Sequence, residues 1–141
     1  MNISKFTQKS VQAVQDLEKV AYEYGNQEVE QEHLLYALLT QEDSLILKLI
    51  EKMEINKDYF INTVKKALDA KVKVSGGDLR FGQYLNKSLV NAENEAKAMG
   101  DEYVSVEHLF LSLLTQPSPS MKKIFNEFGI TRERFLQALQ L

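Results

Sequence analysis

The sequence predicts an all-α fold, an eight-helix bundle made of two four-helix repeats related by a pseudo-two-fold. Three observations predict it. Displaced by 75 residues, the chain aligns with itself without a gap from Phe6 to its last residue, and 16 of the 61 pairs so formed are identical. Apolar residues recur at three- and four-residue steps in both copies, the period of a helix face. Glycines and polar cap residues stand at matching positions, so the helices of the two copies start and stop together.

The first repeat is expected over about residues 4–69, the second over about 80–141, with a linker at about 70–79. A long helix near residues 4–24 opens the first copy, with Val11, Val14, Leu17, Val20, Ala21 and Tyr24 on one face. Gly25 terminates it, because glycine takes the left-handed conformation after a helix without a Cβ clash. Leu85, Leu89, Ala92, Ala96 and Met99 repeat the pattern, closed by Gly100. A short, strongly apolar helix follows, holding Leu34, Leu35, Leu38 and Leu39, matched by Leu109, Phe110, Leu113 and Leu114. Ser105 caps the second of these, with Val104 and Leu109 as a hydrophobic staple. Glu30 takes the place of Ser105 in the first copy and is a weaker cap, but the Val29–Leu34 pair is retained.

Third helices are expected near 44–53 and 119–128. Ser118 followed by Pro119 is a good start, since the amide that proline lacks is not needed there; Gly129 marks the exit. Fourth helices open at Asn56 and Thr131, each with a staple, Ile55 to Phe60 and Ile130 to Phe135. The stretch Ala70–Leu79, with alternating β-branched residues and paired glycines, does not suit a helix and predicts an extended, mobile connection. One repeat alone leaves apolar helix faces uncovered, so the halves are expected to pack together.

Composition narrows the function. The 141 residues fit one domain, and a 44% hydrophobic content supports a core. The absence of cysteine excludes disulfides and thiolate metal sites. Residues 1–24 have no apolar signal region, and no apolar run approaches the roughly 20 residues of a membrane span. Seventeen basic and twenty acidic residues are well mixed, which weighs against nucleic acid as a partner.

Catalytic constellations are missing. His33 and His108, the only histidines, each follow a glutamate early in a second helix; no further ligands stand at metal-binding spacing, and neither forms a His-Glu-x-x-His motif. Both are expected to be structural. Gly76-Gly77 is followed by no Gly-Lys-Ser/Thr, and no serine sits in a Gly-x-Ser-x-Gly elbow. Lys65, Lys66, Lys71 and Lys73 form one basic cluster, interrupted by Asp69 and expected to be solvated. What remains is a protein-binding module that is not itself an enzyme.

Phe6-Thr7, the glycine-ended first helix, Glu32-His33-Leu34-Leu35 and the stretch Gly100-Asp101-Glu102-Tyr103-Val104-Ser105-Val106-Glu107-His108-Leu109 resemble the Clp N-terminal repeat domain. Lys73-Val74-Ser75-Gly76-Gly77 and the Gly-Asp-x-Tyr-Val-Ser-x-Glu-His pattern resemble the ClpB disaggregase family in particular. The resemblance covers essentially the whole chain. It implies a domain that binds apolar segments of unfolded or aggregated proteins and passes them to the pore of a hexamer. In that family two ATPase modules of the same chain form the ring and work with a DnaK-type chaperone system. The resemblance further implies a cytoplasmic setting and a monomeric isolated domain, with no cofactor here: ATP and magnesium belong to ATPase modules that this sequence does not contain.

Substrate-protein contacts carry over from the family as Thr7, Asp101 and Glu107, with Leu89 and Phe110 as candidates for an apolar groove. Each has a competing local role. Thr7 can start the first helix, Asp101 can serve the turn after Gly100, Glu107 can favour its helix dipole, and Leu89 and Phe110 can pack in the core. The alternative function is docking of folded adaptors, as in the related ClpA and ClpC unfoldases that feed proteases.

Overall fold

The computed structural model describes residues 2–140. Along the chain run α1 (Gln8–Glu23), β1 (Glu28–Val29), α2 (Gln31–Leu39), α3 (Leu45–Lys52), α4 (Lys57–Asp69), β2 (Arg80–Phe81), α5 (Gln83–Ala98), α6 (Val106–Thr115), α7 (Pro119–Glu127) and α8 (Arg132–Gln140). Helices α1–α4 and α5–α8 form two four-helix sub-bundles, the architecture the repeat predicts.

The first helix begins at Gln8, later than the expected start near residue 4. Its entry is extended because Phe6 pairs with Val104 in a parallel bridge. The Thr7 amide donates to the Val104 carbonyl at 3.0 Å, and Thr7 Oγ1 caps the Ser10 amide at 3.2 Å. A helical turn over residues 4–7 would forfeit these bonds. The helix exits follow the expected chemistry: Gly25, Gly100 and Gly129 all hold positive φ, between 63° and 73°. At the counterpart of Gly129 stands Glu54, also left-handed at φ 62°. A Cβ there costs about 1–2 kcal/mol, and the turn keeps its form: the Ile55 amide reaches the Ile50 carbonyl, as Ile130 reaches Phe125.

Helices α2 and α6 lie at the centre, buried on nearly every side, which explains why their sequences are apolar all round rather than along one stripe. Leu34, Leu35, Leu38, Phe110, Leu111 and Leu113 are fully buried, each contributing about 1.5–3 kcal/mol by leaving water. The helix α1 covers α2 and α5 covers α6, while α1 also touches α6 and α5 touches α2, so the two halves share one continuous core.

Two short parallel pairings lock the halves and add strand to the expected all-α picture. Val29 pairs with Phe81 and Phe6 pairs with Val104. Adding 75 to the first-copy member of each pair gives the second-copy member of the other, so each copy lends its entry residue to the other copy's second-helix start. Side chains add further cross-links. Buried Gln31 donates from Nε2 to Ser88 Oγ at 2.7 Å and to the Gln116 carbonyl at 2.9 Å, and its Oε1 accepts from the Ser118 amide at 2.8 Å. The Arg134 guanidinium donates at 2.6 Å to the carbonyls of both Met53 and Gly129, satisfying the open ends of α3 and α7 together.

Residues 70–79 carry no helix, and they run in extended form across the first half. The Val74 amide donates to the Gly25 carbonyl at 2.9 Å, and Lys73 Nζ donates to the Tyr24 carbonyl at 2.7 Å.

Candidate functional site

The expected contact residues Thr7, Asp101 and Glu107 gather around the Phe6–Val104 bridge. Thr7 abuts it through the hydrogen bond from its amide to the Val104 carbonyl, and Ser10 Oγ donates to the same carbonyl at 2.8 Å. Asp101 lies three residues before Val104, in the turn after Gly100, and Glu107 three residues after it, in the first turn of α6. Two of the three have local duties as well. Thr7 caps α1, and Asp101 Oδ2 lies 2.8 Å from His108 Nε2. Glu107 is half-buried, and among the described residues no cation lies within ion-pair distance of it.

The histidines explain why Glu-His recurs at the start of both central helices. His108 Nδ1 accepts from the Ser105 amide at 2.8 Å, and His33 Nδ1 accepts from the Glu30 amide at 2.9 Å. Each thereby fills the place that Glu or Gln takes in a capping box. With Nδ1 accepting, the proton sits on Nε2, which donates to Asp101 Oδ2 in one copy and to Asn26 Oδ1, at 3.0 Å, in the other. Burial, assisted by the Lys71 cation, lowers the pKa of His33 to about 4, so it is neutral at physiological pH. Among the described residues no group of three or more potential metal ligands gathers.

The 75-residue register supplies a built-in comparison, since the counterparts of Thr7, Asp101 and Glu107 are Gly82, Asn26 and Glu32. That first-copy version is covered. Lys71 Nζ lies 2.8 Å from Glu30 Oε2 and 3.3 Å from Glu32 Oε1. Ser120 Oγ donates to Glu32 Oε2 at 2.6 Å, and Asn26 Nδ2 donates to the Val72 carbonyl at 3.1 Å. Glu32 is left 2% exposed. At Gly82 a Cβ would lie 3.0 Å from Glu28 Oε1 and 3.4 Å from the Val29 carbonyl, so a threonine does not fit there without a shift. Among the described residues the second-copy version is open, with Asp101, Glu102 and Tyr103 all exposed.

Leu89 and Phe110 belong elsewhere. They are 2% and 0% exposed, and Phe110 stacks on Phe135 at 4.5 Å and meets Phe125 edge-on at 5.8 Å. As core residues they present no groove surface in this conformation. Their place at three- and four-residue spacing on the inner helix faces is the physical reason. The basic cluster is also partly consumed, since Lys71 and Lys73 both bind the first half.

A second asymmetry escaped the sequence reasoning. Between α1 and the α2–α3 turn, Lys9 Nζ donates to the Glu42 carbonyl at 2.8 Å and Gln41 Nε2 to the Lys9 carbonyl at 2.9 Å, bridging a cleft that also borders Gln12 and Asp16. The equivalent cleft of the second copy, about 630 Å³, is bordered by Tyr84, Lys87, Val90, Asn91, Gln116 and Pro117. Tyr84 replaces Lys9 and Pro117 replaces Glu42, which makes the cleft more apolar and removes the bridging ammonium. Those two exchanges between aligned copies were the available signal.

The sequence profile of the Clp repeat N-terminal domain matches residues 5–140. The chain belongs to the Clp repeat N-terminal domain family. The ClpB chaperone of Clostridium tetani is 40% identical over 145 residues, covering 99% of this chain and 17% of that protein. The chain thus spans about a sixth of the relative's length. The N-terminal domain of Hsp104 from Candida albicans has the same fold, with a TM-score of 0.83 at 21% identity over 96% of this chain and 89% of that one. A ClpV N-domain solved in complex with a VipB peptide matches with a TM-score of 0.71 at 21% identity, covering 96% and 89%.

Proposed function

We propose that this domain recruits protein clients to a ClpB-type disaggregase, binding apolar segments of unfolded or aggregated proteins and handing them to the pore of a hexamer built by ATPase modules. The family membership sets the frame, and the observation that carries the proposal is the grouping of Thr7, Asp101 and Glu107 around the Phe6–Val104 bridge, where among the described residues Asp101, Glu102 and Tyr103 are exposed. The second-copy cleft, where Tyr84, Val90 and Pro117 stand among asparagines and Lys87, is more apolar than its first-copy counterpart and offers a place for nonpolar side chains. The VipB peptide held by the ClpV N-domain supports docking of peptide segments to this fold. Work with a DnaK-type system would be a property of the whole chaperone.

Titrating the 15N-labelled domain with reduced, carboxymethylated α-lactalbumin, a permanently unfolded protein, tests the proposal. Amide signals of Thr7 and residues 101–107 should move. Unmoved signals, together with undiminished disaggregation by a parent chaperone lacking this domain, would defeat it. A folded adaptor that binds where the unfolded protein does not would favour the ClpA/ClpC-like alternative.

A further inference from the structure

The seam between the repeats treats them as unlike partners. In a pseudo-symmetric pair, each contact between the copies has a counterpart in which the two residues trade copies. The main chain obeys this rule: the Thr7 amide donates to the Val104 carbonyl at 3.0 Å, and the Gly82 amide to the Val29 carbonyl at 2.8 Å. The side chains do not. Gln31 bonds to Ser88, Gln116 and Ser118, whereas the counterpart pair of Gln31 and Ser88 is Val106 and Ala13, apolar and buried. Arg134, bonded to the Met53 carbonyl, is answered by Tyr59 edge-on to Phe128 at 5.3 Å. Lys52 Nζ donates to the Ala138 carbonyl at 2.7 Å, and the counterpart of Lys52 is Glu127.

These differences penalise the pairing of like with like. Two second repeats would set Val106 where Gln31 stands, leaving the Gln116 carbonyl and the Ser118 amide without their partner. They would also set the Glu127 carboxylate toward the Ala138 carbonyl, two acceptors with no hydrogen between them. Two first repeats would place Ala13 where Gln31 needs Ser88 and would leave both Met53 carbonyls without a guanidinium. Asp43 would take the place of Ser118, and it holds φ 57° where Ser118 holds −65°, so the turn follows another path. Only a first repeat against a second satisfies all of these groups together.

The covalent link adds little to this recognition. Among the described residues, the hydrogen bonds and ion pairs of residues 71–74 end on the first repeat. Residues 75–78 are exposed, and a Cβ at Gly76 would meet nothing within 4 Å. From Arg80 onward the seam holds the chain again, through its amide bond of 2.9 Å to the Gln27 carbonyl.

We propose that the two repeats form an intramolecular heterodimer, in which each is the specific partner of the other's seam and the assembly holds without an intact link at residues 75–78. Gln31, Lys52 and Arg134 are the residues that select an unlike repeat over a like one. The inference stands apart from client recruitment and concerns a different surface.

The test cuts the folded chain. A site for a sequence-specific protease is inserted between Gly76 and Gly77, and the domain is folded whole, cleaved and diluted to micromolar concentration. The cleaved domain should elute as one body, with an amide spectrum changed only near the cut. Unfolded in urea and returned to buffer, it should regain that spectrum at a rate that rises with protein concentration. Native mass spectrometry should then show only pairs of one first and one second repeat. Gln31→Leu should raise the dissociation constant of the cleaved pair about thirtyfold, in line with the loss of its polar bonds. Pieces that separate on dilution, or that fail to regain the native spectrum, overturn the inference. Pairs of two first or two second repeats overturn it as well. A Gln31→Leu domain whose pieces hold as tightly as those of the parent would also overturn it, because the seam would then not select through these groups.

Discussion

Replacing Gln31 with leucine should loosen the seam between the halves. The side chain is 1% exposed, and all three of its hydrogen bonds end on the second copy, at Ser88, Gln116 and Ser118. Leucine has a similar volume, so the loss is polar and not a cavity. Ser88 keeps its bond to the Tyr84 carbonyl at 3.0 Å; the Gln116 carbonyl and the Ser118 amide lose their partner. A typical bond contributes about 0.5–1.5 kcal/mol net, and an orphaned buried group costs about 1–3 kcal/mol. Gln116 and Ser118 lie near the surface, where water recovers part of that cost. The sum is about 2 kcal/mol, equivalent to a fall of roughly 6–8 °C in Tm for a domain of this size. Thermal unfolding by circular dichroism measures it, and amide exchange at Ser118 provides a local readout, since its protection should drop. A variant that melts within about 1 °C of the parent, with Ser118 still protected, would refute the assignment of Gln31 as a clamp between the halves.

Stability should fall as pH drops from about 6.5 to about 4, because the unfolded chain protonates its histidine at the ordinary value while folded His33 resists until about 4. Fully developed, that contribution is about 3 kcal/mol, present above pH 6.5 and lost through the window. Urea titrations at several pH values measure it, and a His33 ring that titrates near 6.5 by NMR would contradict it. Phe110→Ala should cost about 3–5 kcal/mol through the cavity it opens against Phe125 and Phe135. It should leave client affinity of the folded fraction unchanged. Lost affinity at unchanged stability would return Phe110 to the binding surface.

Much of the fold was legible because its signals act within a few residues. Ser44, Asn56 and Ser118 each cap a helix with their own oxygen, and Gly25, Gly100 and Gly129 close helices in the left-handed conformation. The late start of α1 was not legible, since the bond that wins there runs from Thr7 to Val104, far along the chain. Leu89 and Phe110 show the same limit at the site: periodicity places a residue on a helix face but does not say whether that face meets solvent or another helix.

By itself, the sequence determined that two homologous helical units exist, where their helices begin and end, and that no catalytic or metal-binding constellation is spelled along them. Caps, glycine turns and the 3.6-residue period are local physics, copied twice in one chain. That the first-copy surface is closed was decided only in three dimensions. The closure depends on a lysine reaching a carboxylate some 40 residues away and on an amide at Asn26 where the other copy has an acid, and such distant contacts form only when the folded chain brings their partners together.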